Sequence, residues 1–229
     1  MNNIKVIGFD ADDTLWHNEQ FFLEAEKKFW EMMEDFLPQH SSARELMKTE
    51  TQNIELYGYG IKAFILSMIE TAIRISEGTI TSAGVEQIIA FGKEMLHKPV
   101  VLIDGVEEVL SALSGRYKLV VVTKGDLLDQ ERKLVKSNLE NYFHHIEIVS
   151  EKNTHEYLKL LRHLDIEPHE FSMIGNSAKS DILPVLNIGG YGFHVPYHTT
   201  WAHEQVKAEI KHDKFYKLES IGEILNFIP

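Results

Sequence analysis

The chain has 229 residues, of which 44% are hydrophobic and 25% charged, a composition typical of a globular protein rather than a disordered one. Its 23 basic and 35 acidic residues give a net charge of −12, which disfavours a nucleic acid polymer as partner because phosphate backbones are also negative. The absence of cysteine excludes disulfides, cysteine-based zinc sites and thiol nucleophiles.

The sequence gives no indication of a membrane segment. Its first nine residues, MNNIKVIGF, lack the basic, apolar and small-residue regions of a signal peptide. The most apolar helical stretch, residues 61–75, contains Lys62, Glu70 and Arg74. We therefore expect a cytoplasmic protein that has no membrane partner, and the sequence leaves its oligomeric state unknown.

Short apolar runs rich in β-branched residues predict six strands separated by helical patterns. The predicted strands are residues 4–9, 118–123, 146–149, 171–175, 191–195 and 215–218. Helices are predicted over residues 126–139 and 154–164, and His144 and His145 are expected at a helix end. Strands that alternate with helices predict an α/β fold with a doubly wound parallel sheet.

The alternation stops between residues 15 and 99, where the pattern is helical throughout. Apolar residues repeat at helical spacing from Phe21 to Phe36, and further helices are predicted over residues 43–56, 61–75 and 82–97. The α/β pattern resumes with the apolar run 100–106. We therefore expect residues 1–14 and 100–229 to form an α/β core, with residues 15–99 inserted as an all-helical subdomain.

Two acidic residues follow the first predicted strand directly. In an extended backbone Asp10 and Asp12 point the same way, into the space beyond the carboxyl end of the strand, where open α/β sheets bind ligands. Two carboxylates so close repel each other unless a cation or a shared proton relieves them. The alternative is an acidic helix cap, since Asp and Thr both cap well.

Polar residues also follow the next three predicted strands. Thr123 and Lys124 offer a hydroxyl and a positive charge to an anion, although helix capping explains a Thr there equally well. Lys152, taken alone, is most simply a surface lysine. Asn176 and Asp181 add oxygen donors suited to a hard cation, with a capped turn as the alternative, and Gly175 allows a sharp turn before them.

Taken together, these four strand-end motifs resemble those of the haloacid dehalogenase superfamily, and specifically its phosphatases. The resemblance covers the whole chain, because the helical insertion corresponds to the cap that this family carries between its first two motifs. The matching residues are Asp10, Asp12, Thr14, Thr123, Lys152, Gly175 and Asp181.

The resemblance implies a Rossmann-like core and Mg²⁺-dependent hydrolysis of a small phosphorylated metabolite through an aspartyl-phosphate. It implies that Asp10 is the nucleophile and Asp12 the acid and base. Thr123, Lys124 and Lys152 are expected to bind the phosphate. The expected Mg²⁺ site comprises Asp10, Asp12 (through its backbone carbonyl), Asn176 and Asp181.

Two residues depart from the family pattern. Asn176 replaces an acidic residue, so one negative charge near the expected cation is lost. Asp13 replaces a glycine that is frequent at that position, and we expect its backbone to be right-handed.

Other interpretations remain open from the sequence. A dehalogenase is disfavoured by Asp12 and Asp181, whereas a sugar-phosphate mutase, a non-catalytic phosphoacceptor and an inactive relative remain possible. A zinc site at His194, His198 and His203 is disfavoured by their spacing. Residues that could equally line a substrate pocket or pack in the core are Trp16, His17, Tyr57 and Tyr59.

Overall fold

The computed structural model describes residues 3–199, 201–206 and 208–228. The chain divides into two compact units. The first unit comprises Met1–Glu19, Val100–Lys124 and Gln130–Pro229, and the second comprises Gln20–Pro99 and Gly125–Asp129.

The first unit is built on a six-stranded sheet, whose strand order is β3-β2-β1-β4-β5-β6. Every neighbouring pair of strands is parallel. The strands are β1 (Val6–Phe9), β2 (Lys118–Lys124), β3 (His145–Val149), β4 (Phe171–Gly175), β5 (Tyr191–His194) and β6 (Phe215–Lys217). From β1 the chain order runs outward in both directions, which confirms the predicted doubly wound α/β fold.

The sheet is covered on both faces, which explains why its strands read as unbroken apolar runs. Ile7, Phe9 and Val121 belong to one hydrophobic cluster. The alternate residues Val6 and Val120 belong to another. Because successive side chains point to opposite faces of a strand, each central strand contributes to both clusters.

In the described part of the first unit, the sheet is accompanied by α5 (Val106–Leu113), most of α6 (Leu127–Ser137), α7 (Thr154–Leu164) and α8 (Leu183–Asn187). The run 100–106 does not form a strand; Leu102 makes a single bridge to Trp16, and Gly105, at a φ of 85°, ends the extended segment. The expected helix end at His144 and His145 is also wrong, because His145 pairs with Val120 at the start of β3.

The second unit contains four helices, most of α1 (Glu19–Met32) together with α2 (Gln39–Tyr57), α3 (Ile61–Ile75) and α4 (Ser82–His97). Phe29, Met68 and Ile88 lie at the centre of its apolar core. Helices α2 and α3 also share buried polar contacts: Asn53 Nδ2 donates to Ser67 Oγ at 3.1 Å. Within the described residues, no helix combines the length and the apolar character that a membrane span needs.

Candidate active site

The polar residues predicted at the strand ends lie in the first unit, at the carboxyl edge of its sheet. The central strand β1 has β2 on one side and β4 on the other, so the segments that follow these three strands are neighbours. Asp10 follows β1, Thr123 lies near the end of β2, and Asn176 follows β4. This edge, where the strand order reverses, is where open α/β sheets bind ligands.

Lys152 is buried between the carboxylates of Asp10 and Asp181. Its Nζ donates to Asp10 Oδ1 and, at 2.6 Å, to Asp181 Oδ1, and its side chain is 2% exposed. The interpretation of Lys152 as a surface lysine is therefore wrong. A lysine so deeply buried is rare unless it is paired, and here two carboxylates pair with it.

The two carboxylates carry more negative charge than Lys152 offsets. Burial, reinforced by the charge of Asp181, raises the pKa of Asp10 from 3.8 to about 7 despite the lowering effect of Lys152. Burial alone would lower the pKa of Lys152, but Asp10 and Asp181 outweigh it and hold that pKa above its usual value. The pair therefore favours a further cation or a proton beside Asp10.

Asp181 occupies a space that a glycine leaves open. It lies in a π-helical turn, Ala178–Ile182, and its Oδ2 accepts from the Ser177 backbone N–H at 2.9 Å. A Cβ on Gly175 would lie 2.2 Å from that same Oδ2. The φ of Gly175 is not positive, so the glycine serves for the close approach of Asp181 and not for the sharp turn expected from the sequence.

Thr14 connects the loop after β1 with the loop after β4. Its hydroxyl lies 3.1 Å from Asp10 Oδ2 and 3.5 Å from Asn176 Oδ1, and it accepts from the Asn176 backbone N–H at 3.1 Å. These contacts bring Asn176 close to the Asp10 carboxylate.

Asp12 has its own set of hydrogen-bond partners. Its Oδ1 accepts from Trp16 Nε1 at 2.8 Å and from Lys133 Nζ at 2.6 Å, and its Oδ2 accepts from Gln130 Nε2 at 3.0 Å. Trp16 is 1% exposed, so this aromatic side chain packs in the core of the first unit.

Asp13 adopts a left-handed backbone, with a φ of 60°, which contradicts the right-handed expectation. An Asp tolerates this conformation because its short side chain can hydrogen-bond locally. Its carboxylate accepts from the backbone N–H groups of Asn18, at 2.8 Å, and Glu19, at 3.0 Å. Burial, with a smaller contribution from the charge of Asp12, raises the pKa of Asp13 to about 8 and that of Glu19 to about 7.

Thr123 is buried at the end of β2, where its Oγ1 lies 2.7 Å from Gln130 Nε2. The next residue, Lys124, donates to Ser180 Oγ at 3.0 Å and to Glu204 Oε1 at 2.7 Å. Burial opposes the ionisation of Glu204. The charge of Lys124 and the hydrogen bonds that Glu204 accepts from Lys124, Ser177 and Ser180 outweigh this effect and lower the pKa of Glu204 to about 2.

The remaining candidates have other partners. His194 Nε2 lies 3.0 Å from the Asn176 carbonyl oxygen, and His17 Nδ1 lies 2.6 Å from the Tyr197 hydroxyl. In the second unit, Tyr57 donates to Glu70 at 2.9 Å. Across the described part of the chain, no three or more His, Cys, Asp or Glu side chains group in a way that could hold a metal ion.

The donor set around Asp10 nevertheless suits Mg²⁺. This ion takes one or two carboxylates and completes its shell with water and substrate oxygens, so it does not need a cage of three acidic side chains. The buried carboxylates of Asp10 and Asp181 are bridged by Lys152, and the pKa of Asp10 is raised mainly by burial, with a further contribution from the charge of Asp181. A hard cation held by oxygen ligands fits this chemistry.

Sequence reasoning missed three residues of this site: Gln130, Lys133 and Glu204. The first two are polar residues three positions apart on a predicted helix, a spacing that indicates one shared face but not what that face contacts. Glu204 has no local signal, because its partners Lys124 and Ser177 lie in distant parts of the chain.

Comparison with known proteins identifies the family. Residues 4–189 match the model of the haloacid dehalogenase-like hydrolases. The chain belongs to this family. The predicted relationship with phosphatase-like members of the haloacid dehalogenase superfamily is thereby confirmed.

Individual relatives of this haloacid dehalogenase-like hydrolase agree with the assignment. A solved haloacid dehalogenase-like family hydrolase from Xanthomonas campestris is 35% identical, with a TM-score of 0.88 over 99% of this chain and 91% of that one. The glyceraldehyde 3-phosphate phosphatase of Pyrococcus furiosus is 25% identical over 82% of this chain and 79% of its own length. The 2-haloacid dehalogenase of Pseudomonas syringae shares the fold, with a TM-score of 0.66 at 18% identity and 98% coverage of both chains.

Proposed function

We propose that this enzyme hydrolyses small phosphomonoesters with Mg²⁺, using Asp10 as a nucleophile that becomes phosphorylated. The observation that supports this most directly is the buried arrangement of Asp10, Lys152 and Asp181 at the carboxyl edge of the central strand. Membership of a hydrolase family with phosphatase relatives supports the reaction class.

In the first step, an oxygen of the Asp10 carboxylate attacks the phosphorus while the bond from phosphorus to the leaving oxygen breaks. Asp12 gives its proton to that leaving oxygen, so the product departs as a neutral alcohol. In the second step, water attacks the phosphorus of the aspartyl-phosphate and the bond to Asp10 breaks. Asp12 takes the proton from this water, which returns both residues to their starting states.

Thr123, Lys124 and Lys152 bind the non-bridging oxygens of the phosphoryl group. Lys152 supplies a fixed positive charge beside Asp10, and Thr123 supplies a hydroxyl at the end of β2. Lys124 is held by Ser180 and Glu204, so its charge contributes from the edge of the site. Such pre-positioned charges stabilise the transition state without reorganising during the reaction.

Asp10, Asp181, Asn176 and the backbone carbonyl of Asp12 would hold Mg²⁺. When bound, this ion neutralises charge on the phosphoryl oxygens and orients the phosphate for in-line attack. With it in place, the Asp10 carboxylate remains ionised despite its burial.

The substrate class we infer is a small phosphorylated metabolite. Four curated relatives, 23–26% identical, are named glyceraldehyde 3-phosphate phosphatases, which makes that three-carbon phosphate the first substrate to test. The net charge of −12 argues against a nucleic acid polymer. Location in the cytoplasm is part of the same proposal.

The test is phosphate release from a panel of phosphomonoesters that includes glyceraldehyde 3-phosphate, measured with Mg²⁺ and with EDTA. We expect turnover with Mg²⁺ and its loss in EDTA. Equal turnover in EDTA would contradict the metal dependence, and inactivity toward the whole panel would contradict the phosphatase assignment.

A further inference from the structure

The Asp12 carboxylate is held at both of its oxygens by side chains of the first unit. Oδ1 accepts from Lys133 Nζ at 2.6 Å and Trp16 Nε1 at 2.8 Å, while Oδ2 accepts from Gln130 Nε2 at 3.0 Å. Rotation of the carboxylate group would break at least one of these hydrogen bonds. The orientation of Asp12 is therefore fixed by its neighbours and not by its own backbone alone.

Two of these neighbours lie on one face of α6. Gln130 and Lys133 are three positions apart, a spacing that brings side chains together on a helix surface. Gln130 is 4% exposed, and the Lys133 side chain is 16% exposed. Contacts this well shielded from water are stronger than the surface ion pairs that contribute little to stability.

Gln130 also connects Asp12 with the end of β2. The same Nε2 atom lies 2.7 Å from Thr123 Oγ1 and 2.7 Å from the Lys124 carbonyl oxygen. The two hydrogens of Nε2 can serve two of these three acceptors at once, and Gln130 Oε1 is buried without a hydrogen-bond partner in the described structure. The reversed amide would instead turn its oxygen toward Asp12 Oδ2 and the Lys124 carbonyl, two acceptors that cannot donate to it. Gln130 is therefore a donor here, and it sets the position of Asp12 relative to Thr123.

We propose that Gln130 and Lys133 are positioning residues that orient Asp12 for proton transfer. The inference rests on the proposed function, in which Asp12 donates a proton to the leaving oxygen as the phosphorus–oxygen bond breaks and later accepts one from water. Gln130 and Lys133 exchange no atom with the substrate and act only through Asp12. Proton transfer depends steeply on geometry, so a displaced Asp12 slows the step that needs its proton.

The leaving group of the substrate distinguishes this role from a merely structural one. An alkoxide is a poor leaving group and requires a proton from Asp12, whereas p-nitrophenolate departs readily without one. Loss of a structural contact lowers turnover of both kinds of substrate alike. Loss of Asp12 orientation lowers turnover of the alkyl phosphate more.

The experiment compares kcat/KM, which reports the steps up to departure of the leaving group, for an alkyl phosphomonoester and for p-nitrophenyl phosphate in Lys133→Met, Gln130→Met and Lys133→Arg. Lys136→Met is the matched control, because it makes the same change on an exposed position of the same helix. We expect Lys133→Met and Gln130→Met to lower kcat/KM on the alkyl substrate about 10- to 100-fold, with a much smaller loss on p-nitrophenyl phosphate. Lys133→Arg regains part of the loss, and Lys136→Met matches the wild type.

Equal losses in kcat/KM on the two substrates would overturn the positioning role while leaving the proposed function intact. A wild-type enzyme that hydrolyses neither substrate would overturn both. Urea unfolding of each variant identifies any substitution that prevents folding. Because Gln130 and Lys133 contact different oxygens of Asp12, either variant that folds is sufficient for the test.

Discussion

At the scale of single residues, Lys152 compensates the charge of two buried carboxylates. Its ammonium group faces the carboxylates of Asp10 and Asp181 in the interior of the protein. Removing one member of a buried charged group leaves the others without compensation, which is more costly than the net value of the interaction.

Replacement of Lys152 by Met is expected to lower the free energy of unfolding by about 3–5 kcal/mol in the absence of Mg²⁺. The loss grows as the pH rises above 7, because removal of Lys152 raises the pKa of Asp10 further above its wild-type value of about 7 and so makes its ionisation beside Asp181 more costly. Urea unfolding measures this effect. Lys159→Met, at an exposed lysine that pairs with Glu156 within its own helix, is the control and should cost less than about 1 kcal/mol. A Lys152→Met protein as stable as the control would contradict the account.

Asn176 places a neutral amide, and not a carboxylate, beside the proposed cation. Replacement by Asp adds a carboxylate near Asp10, through the position that Thr14 fixes, so we expect tighter Mg²⁺ binding. Titration calorimetry of the metal with the wild type and Asn176→Asp measures the affinities directly. Equal or weaker affinity in the variant would show that Asn176 does not face the ion.

At the scale of elements, the connection between β4 and α8 has room for Asp181 only because residue 175 is a glycine. In Gly175→Ala the new Cβ would lie 2.2 Å from Asp181 Oδ2, so the carboxylate or the strand end must move. We expect a large loss of Mg²⁺ affinity together with activity, measurable by metal titration and phosphate release. Gly189→Ala, where a Cβ would meet nothing within 4 Å, is a control for glycine replacement, although its φ of 94° adds some strain. Unchanged metal affinity in Gly175→Ala would contradict the assignment of Asp181.

Glu204, in the turn at residues 202–204, accepts hydrogen bonds from Lys124, Ser177 and Ser180. Its folded pKa of about 2 lies below the ordinary 4.5, so its contribution to stability is complete above pH 4.5 and is lost as the pH falls toward 2. The wild type should have a higher free energy of unfolding than Glu204→Gln at pH 7. Near pH 3 this difference should be smaller by about 2 kcal/mol. Denaturant unfolding at both pH values measures this difference. A gap between the two proteins that does not depend on pH would contradict the Lys124–Glu204 pairing.

Helices and strands were predictable wherever the apolar residues of a segment followed a single helical or strand pattern. Strand β4 and helices α3, α4 and α7 match their predicted bounds, because buried apolar runs and caps mark their ends. Helix α2 begins at Gln39 and not at residue 43, since its first turn is polar and gives no apolar signal. The apolar run 100–106 marked where the α/β pattern resumes, but apolar residues alone do not show that it forms a bridge at Leu102 and then enters α5 at Val106.

The site was predictable only in part, for a similar reason. Residues next to a strand end, such as Asp10 and Thr123, are placed by the strand itself. The burial of Lys152 depends on Asp10, 142 positions away, and the contact of Lys133 with Asp12 spans 121 positions. No local pattern contains such pairings, so they emerged only from the three-dimensional structure.

At the scale of the whole molecule, part of the net charge of −12 is concentrated where the proposed anionic substrate would bind. Asp10, Asp13 and Asp181 are buried in the first unit, and Lys152 pairs with Asp10 and Asp181. A phosphate dianion can approach these carboxylates only if positive charge offsets them. The acidic composition therefore agrees with a requirement for a bound cation as well as the lysines.

The central claim is that Asp10 becomes phosphorylated during phosphomonoester hydrolysis. Acid-quenched samples of the enzyme turning over a phosphomonoester with Mg²⁺, digested and analysed by mass spectrometry, test it directly. We expect phosphate on the peptide that contains Asp10, at a level that rises before steady-state release, and neither phosphopeptide nor phosphate release in Asp10→Asn. Phosphate release by Asp10→Asn at the wild-type rate, or phosphorylation of a different residue, would contradict the mechanism.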